Sequence, residues 1–170
     1  MPLYIDHSSY IHMACHFSWM AWTVLDAAKR WNGRSVPQAQ ILGFLHFMHF
    51  NIREISGEMD EGATSNMWER PGGRRHHGSK SARPAGRARK RRPLSEGEWA
   101  LLQDAFIEYE SLEERISRAA SGVSGRIPGT ILQKILLPLV EPSARILALM
   151  PIRDGDTEHL KQWVKDFGNS

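Results

Sequence analysis

The 170-residue sequence predicts an all-α fold, a helical bundle of about five helices, and three observations carry that reading. Apolar residues recur three and four apart through several long segments, which at 3.6 residues per turn gathers them on one side of a helix. Two sequences of the form Ser-x-x-Gln or Ser-x-x-Glu, at Ser35 and Ser95, have the pattern of a capping box at a helix start. Between them lies a stretch rich in Gly, Pro and Arg with no periodicity. It divides the chain into an N-terminal helical hairpin (1–61), a basic flexible connector (62–94) and C-terminal helices (95–170) that complete one bundle with the hairpin.

The first helix covers about 8–31. Ile11, Ala14, Cys15, Phe17, Ala21, Trp22, Val24, Leu25 and Ala28 form its apolar stripe. His12, His16, Thr23, Asp26 and Arg30 form a polar stripe, interrupted by Trp19. Asp6 or Ser8 caps the start, and Gly33 stands where a left-handed cap is common. The second helix starts at Ser35-Val36-Pro37-Gln38, with proline in the first turn, where a missing N–H costs nothing. Ile41, Phe44, Leu45, Met48, Ile52, Ile55 and Met59 line one face, and the helix ends between Gly57 and Gly62. Phe47 and Phe50 lie off that face and need a second neighbour, inside the fold or in another chain. The short Asn32–Arg34 turn makes the two helices an antiparallel hairpin.

After the connector, Ser95 opens a third helix with Trp99, Leu102, Phe106, Tyr109, Leu112, Ile116 and Ala120 on one face, ending at Gly122. Glu114 and Arg118 form a supporting pair one turn apart. The runs ILQKILLPLV and ARILALMPI are read as helices because Leu, Gln, Lys, Ala and Met favour them. Pro138 is expected to kink the first, Pro142 to start the second and Pro151 to stop it. A last helix is capped by Asp156 or Thr157, carries Leu160, Trp163, Val164 and Phe167, and closes at Gly168. No internal repeat is apparent.

Charge is the most informative functional feature. Ten of the 22 Lys and Arg residues lie in RPGGRRHHGSKSARPAGRARKRRP (70–93), which has no Asp or Glu. The other 12 face 19 acids, a net of −7. A cationic ribbon on an acidic body calls for a polyanion, because each phosphate it neutralises releases counterions. Arg70, Arg74, Arg75, Lys80, Arg83, Arg87, Arg89, Lys90, Arg91 and Arg92 are therefore the candidate nucleic-acid-binding residues. No aromatic side chain interleaves them, so the contact is expected to be with phosphate and largely independent of sequence, on DNA or RNA. RARKRRP (87–93) also has the density of a nuclear localisation patch. The alternative is a helical protein–protein adaptor in which the ribbon is a localisation signal or an inert linker. Trp19, Phe47 and Phe50 are the candidate partner-binding residues, for a protein partner or self-association.

Other chemistries have little support. The pairs His12/His16 and His46/His49 each share a helix face, with Cys15, Asp26 and Glu54 nearby, which raises a His-rich metal bundle as a further alternative. The first pair shares its stripe with Asp26 and Arg30, the second flanks Arg53, and no His-Glu-x-x-His occurs, so no metal and no cofactor are expected. Cys15 lies on an apolar helix side, where a thiol is inert. No Gly-x-Ser-x-Gly elbow occurs and neither Gly-rich stretch carries a Walker lysine, so no enzymatic activity is expected. A lone cysteine fits a reducing compartment. With no basic start followed by an apolar run at the N-terminus and no long apolar segment, the expectation is an intracellular, cytoplasmic protein, nuclear if eukaryotic or viral, without a membrane partner.

Overall fold

The computed structural model describes residues 7–65, 94–123, 125–152 and 157–162, with side chains of the first two helices described over 12–56. In order these form α1 (His7–Arg30), β1 (Ser35–Pro37), α2 (Gln38–Ser65), α3 (Glu96–Glu110), α4 (Leu112–Ala119), β2 (Arg126–Pro128) and α5 (Gly129–Leu149). Residues 157–162 are also helical. The architecture is the expected helical bundle with a small two-stranded sheet added. Among the described residues no helix is long and apolar enough to cross a membrane.

α1 is the central helix. It packs along α5 more extensively than any other pair of elements pack together, and also along α2. Burial accordingly runs almost all round it, through Met13, Phe17, Met20, Ala21, Val24, Ala27 and Ala28. This corrects the expected solvated stripe, because His16 and Thr23 are buried as well. Thr23 and Ser18 remain satisfied there by donating to carbonyls one turn back, Trp19 O at 2.7 Å and Ala14 O at 2.6 Å. A helix between two neighbours tolerates polar residues on an inner side when each finds a partner.

The Ser35 capping box does not form. Ser35–Pro37 is instead a strand, and α2 starts one residue after the proline. Val36 precedes Pro37, which biases it toward extended backbone. β1 and β2 pair antiparallel in a register centred on Val36 opposite Ile127, both buried. Arg126 donates from Nε to Ser35 Oγ at 3.1 Å and from its guanidinium to Ser35 O at 3.0 Å. Gln38 N donates to Gly125 O at 2.9 Å, so the first turn of α2 is capped from the other strand.

The strand pair exposes a likeness between the two halves of the chain. Gly33-Arg34-Ser35-Val36-Pro37 leads into α2, and Gly125-Arg126-Ile127-Pro128 leads into α5. Both glycines have positive φ, 66° and 81°, and each half runs helix, turn, strand, helix. The shared segment is short and Ser35 is an insertion in it, which kept the repeat below notice in the sequence.

The Ser95 box forms as read. Glu98 N donates to Ser95 Oγ at 3.1 Å, and Ser95 N donates to Glu98 Oε2 at 2.8 Å. The third helix, read as continuous, breaks at Ser111 into α3 and α4. The Ser111 hydroxyl donates to Glu108 O at 2.8 Å, a side-chain bond that bends a helix. Gly122, with φ of 81°, closes α4 as expected. The two short proline-bounded helices are instead the single 21-residue α5, with Pro138 and Pro142 inside it. The prolines stand four apart on the side that also carries exposed Lys134, Glu141 and Arg145. The prolines thus stand away from the buried side of α5 (Leu132, Leu136, Leu139, Ser143, Ile146).

The expected connector also changes at its ends. Residues 62–65 belong to α2, and Leu94 is buried in the core. Leu160 is buried too, whereas Asp156, Trp163, Val164, Phe167 and Gly168 lie outside the described residues.

Candidate functional site

The chemistry-bearing side chains that the fold brings together lie on the seam between α1 and α2. α1 supplies His12 and His16, one turn apart, with ring centroids 4.5 Å from each other. α2 supplies Asn51 and Glu54 from the facing turn. His12 Nε2 is 3.3 Å from Glu54 O and 3.8 Å from Glu54 Oε2. His16 Nδ1 is 2.7 Å from Asn51 Oδ1, and Asn51 donates from Nδ2 to Phe47 O at 2.8 Å. Asn51 is wholly buried.

The order of these bonds fixes the tautomer of His16. Only the NH2 of Asn51 can donate to the Phe47 carbonyl, so Oδ1 is the atom facing the imidazole. A carbonyl oxygen only accepts, so His16 Nδ1 carries the proton and, in the neutral ring, Nε2 carries the lone pair. One ligand atom from each of His12, His16 and Glu54 lies within 4.8 Å of the other two. These are the residues that could hold a metal ion. His16 and Asn51 are the buried end of the site, and His12 and Glu54 are half-exposed.

Aromatic rings border the histidines. Trp19 meets His16 edge-on at 5.4 Å, and Phe50 does so at 6.0 Å. Trp19 also lies 6.5 Å from the ring of His159. Its indole N–H is buried without an acceptor among the described residues. Of the three aromatic residues expected at a partner surface, Trp19 is half-buried beside His16 and Phe50 is 47% exposed. Phe47 is only 4% exposed: it finds its second neighbour inside the fold. The His46/His49 pair does not join this site. His49 Nδ1 lies 3.2 Å from Glu113 Oε2 at the start of α4, an exposed contact of a different face.

The ten basic residues expected to bind nucleic acid, Arg70 to Arg92, lie outside the described residues. Within the described body, four cations pair with carboxylates close in sequence: Arg30 with Asp26 at 2.6 Å, Lys161 with Glu158 at 2.8 Å, Arg118 with Glu114, and Arg115 with Glu108. Asn51 is the residue that sequence reasoning missed. Its signal was its place in the series Phe44, Met48, Asn51, Ile55, an amide set into the buried face of α2, where a polar group needs a partner.

A second buried polar pair ties α3 to α5. The Tyr109 hydroxyl and Ser143 Oγ are 2.7 Å apart, and burial raises the tyrosine pKa well above its ordinary value. Both groups are enclosed, and the bond serves packing.

No family model, no curated protein and no solved structure matches this chain.

Proposed function

We propose that this protein is a non-catalytic nucleic-acid-binding accessory protein whose segment 70–92 holds the phosphate backbone while its helical body docks in a larger assembly. One observation carries the reading: ten bases and no acid in 70–93, against a net of −7 over the rest of the chain. The pairing pattern of the body supports it. Four cations of the described body pair with acids three, four or seven residues away, an arrangement that the acid-free ribbon cannot make within its own segment. The ribbon belongs between the end of α2 and Leu94, attached at both ends to the bundle. The contact is sequence-independent, because phosphate contacts carry no base information. A cytoplasmic or nuclear location follows from the same reading.

The test compares the whole chain with a variant in which all ten basic residues of 70–92 are glutamine. Fluorescence anisotropy on labelled duplex and single-stranded oligonucleotides is the readout. The expected result is binding by the first protein, loss of at least 100-fold in affinity for the second, and an unchanged helical circular dichroism spectrum. Equal affinity of the two proteins would refute the reading.

The adaptor reading has its own observation, the exposure of Phe50 beside half-buried Trp19. Light scattering on wild type and Phe50→Ser tests self-association. A dimer lost on substitution supports it, and a monomer in both cases counts against that form of it.

A further inference from the structure

The geometry points to a binding site for a divalent transition-metal ion, with zinc as the fitting probe, formed by His12 and His16 of α1 and Glu54 of α2. The site is independent of the nucleic-acid reading, and it reverses the sequence expectation that no metal is bound.

Three features make it more than a chance cluster. The first is ligand chemistry and spacing. Two imidazoles and a carboxylate each place a donor atom within 4.8 Å of the others. Zinc bonds of about 2.0–2.2 Å to nitrogen and oxygen require donors about 3.3–3.5 Å apart. Closing that gap takes rotation of the His12 and Glu54 side chains, which are 37% and 42% exposed, with His12 Nε2 facing the Glu54 carbonyl in the unmetallated arrangement. The hard cations calcium and magnesium prefer oxygen sets, and this donor set suits zinc, copper, nickel or iron(II) instead.

The second is the support behind His16. A metal-binding imidazole characteristically donates its other N–H to a fixed acceptor, which sets both its tautomer and its orientation. Asn51 is that acceptor at 2.7 Å, and its own amide is held by Phe47 O at 2.8 Å. The wholly buried amide thereby presents the Nε2 lone pair of His16 as a ligand.

The third is the surroundings. The objections read from the sequence do not apply here. Asp26 lies ten residues beyond His16 on α1, roughly 15 Å along a helix rising about 1.5 Å per residue. Its charge is paired with Arg30 at 2.6 Å. Arg53 adjoins Glu54 in sequence, and its side chain is exposed to solvent. The rings of Trp19 and Phe50 border His16, and the exposed side of His12 and Glu54 gives an ion its entry path. Three protein ligands leave at least one coordination position for water.

The experiment uses full-length protein purified without a histidine tag and stripped of metal by chelator dialysis. Zinc is titrated calorimetrically, and cobalt(II) is followed by its visible absorption. One equivalent of zinc is expected to bind. His12→Ala and Glu54→Gln, both at half-exposed positions, are each expected to weaken binding at least tenfold with the helical spectrum intact. Asn51→Ser, which removes the orienting contact to His16 together with the bond to Phe47 O, is expected to cost about 10- to 100-fold, with the helical spectrum recorded alongside. The double variant His76→Ala/His77→Ala is expected to bind as wild type does. The proposal is overturned by absence of stoichiometric zinc uptake, by unchanged affinity in both His12→Ala and Glu54→Gln, or by loss of binding in the His76/His77 variant.

Discussion

Gly129→Ala is the substitution whose effect the fold specifies most sharply. Gly129 opens α5 directly against the turn that joins α1 to β1. A β-carbon at this position would lie 2.2 Å from Trp31 O, 2.2 Å from Arg34 O and 2.9 Å from Arg34 N. Carbon and oxygen ordinarily approach to about 3.3 Å in packed interiors, so the turn or the helix must move by about 1 Å. None of the three atoms belongs to a side chain that can swing away. The Trp31 and Arg34 carbonyls sit in a turn pinned by Arg34 N donating to Trp31 O at 3.2 Å and by the buried Val36–Ile127 pair behind it. Overpacking of this kind costs about 1–3 kcal/mol, and two backbone clashes at once put it at the upper end. Replacing glycine in a helix returns up to about 1 kcal/mol, less at a first residue. The net expectation is a loss of about 2–3 kcal/mol, which for a chain of this size lowers the melting temperature by roughly 4–12 °C. Gly97→Ala is the matched control. It lies in the first turn of α3 with nothing within 4 Å of the added carbon, and stabilisation of up to about 1 kcal/mol is expected there. Thermal unfolding followed by circular dichroism reads both. A Gly129→Ala protein as stable as wild type would show that α5 does not approach the first turn as described.

Other consequences are equally concrete. Burial holds the Tyr109 hydroxyl above its ordinary value, so above about pH 10 the unfolded chain releases a proton that the folded chain keeps. Stability is therefore full below pH 10 and declines above it, and Tyr109→Phe should flatten that decline in urea midpoints measured from pH 9 to 11. Ser95→Ala removes one half of a capping box and should cost about 1 kcal/mol by urea denaturation. Leu136→Ala, on the buried side of α5, should cost about 2–5 kcal/mol, and Leu137→Ala, exposed one residue later, should fall within about 0.5 kcal/mol of wild type. A Leu137→Ala protein as damaged as Leu136→Ala would mean that the face assignment of α5 is wrong.

Much of the fold was legible because its determinants are local. Apolar spacing located α1, α2 and the α3–α4 run, and the Ser95 box and Gly122 marked a start and a stop that the structure retains. The errors share one cause, a local rule overridden by a contact distant in sequence. Ser35-Val36-Pro37-Gln38 satisfies the capping pattern, yet Val36 gains a buried partner in Ile127, and no local rule anticipates a strand 91 residues away. Pro138 read as a kink and Pro142 as the start of a new helix. Both prolines stand on the side of α5 away from its buried residues, and packing of that buried side holds the helix together through them. His16 and Thr23 read as solvated because they share a stripe with His12, Asp26 and Arg30, whereas α2 and α5 both pack on α1.

The candidate metal site was half visible for the same reason. The spacing of His12 and His16 is local and was noticed. The choice of Glu54 over Asp26, and the role of Asn51, depend on the rotational setting of α1 against α2. The charge of the ribbon is legible directly from composition, because its meaning is electrostatic and needs no fold.

The salt dependence of nucleic-acid binding tests the central claim most directly. With ten cations engaged, the logarithm of the association constant should fall with the logarithm of salt concentration at a slope approaching about −9 on duplex DNA and about −7 on single strands. The glutamine variant of 70–92 should show a slope near zero. A shallow slope in the wild-type protein, or a steep one that survives in the variant, would contradict the assignment of phosphate binding to the ribbon.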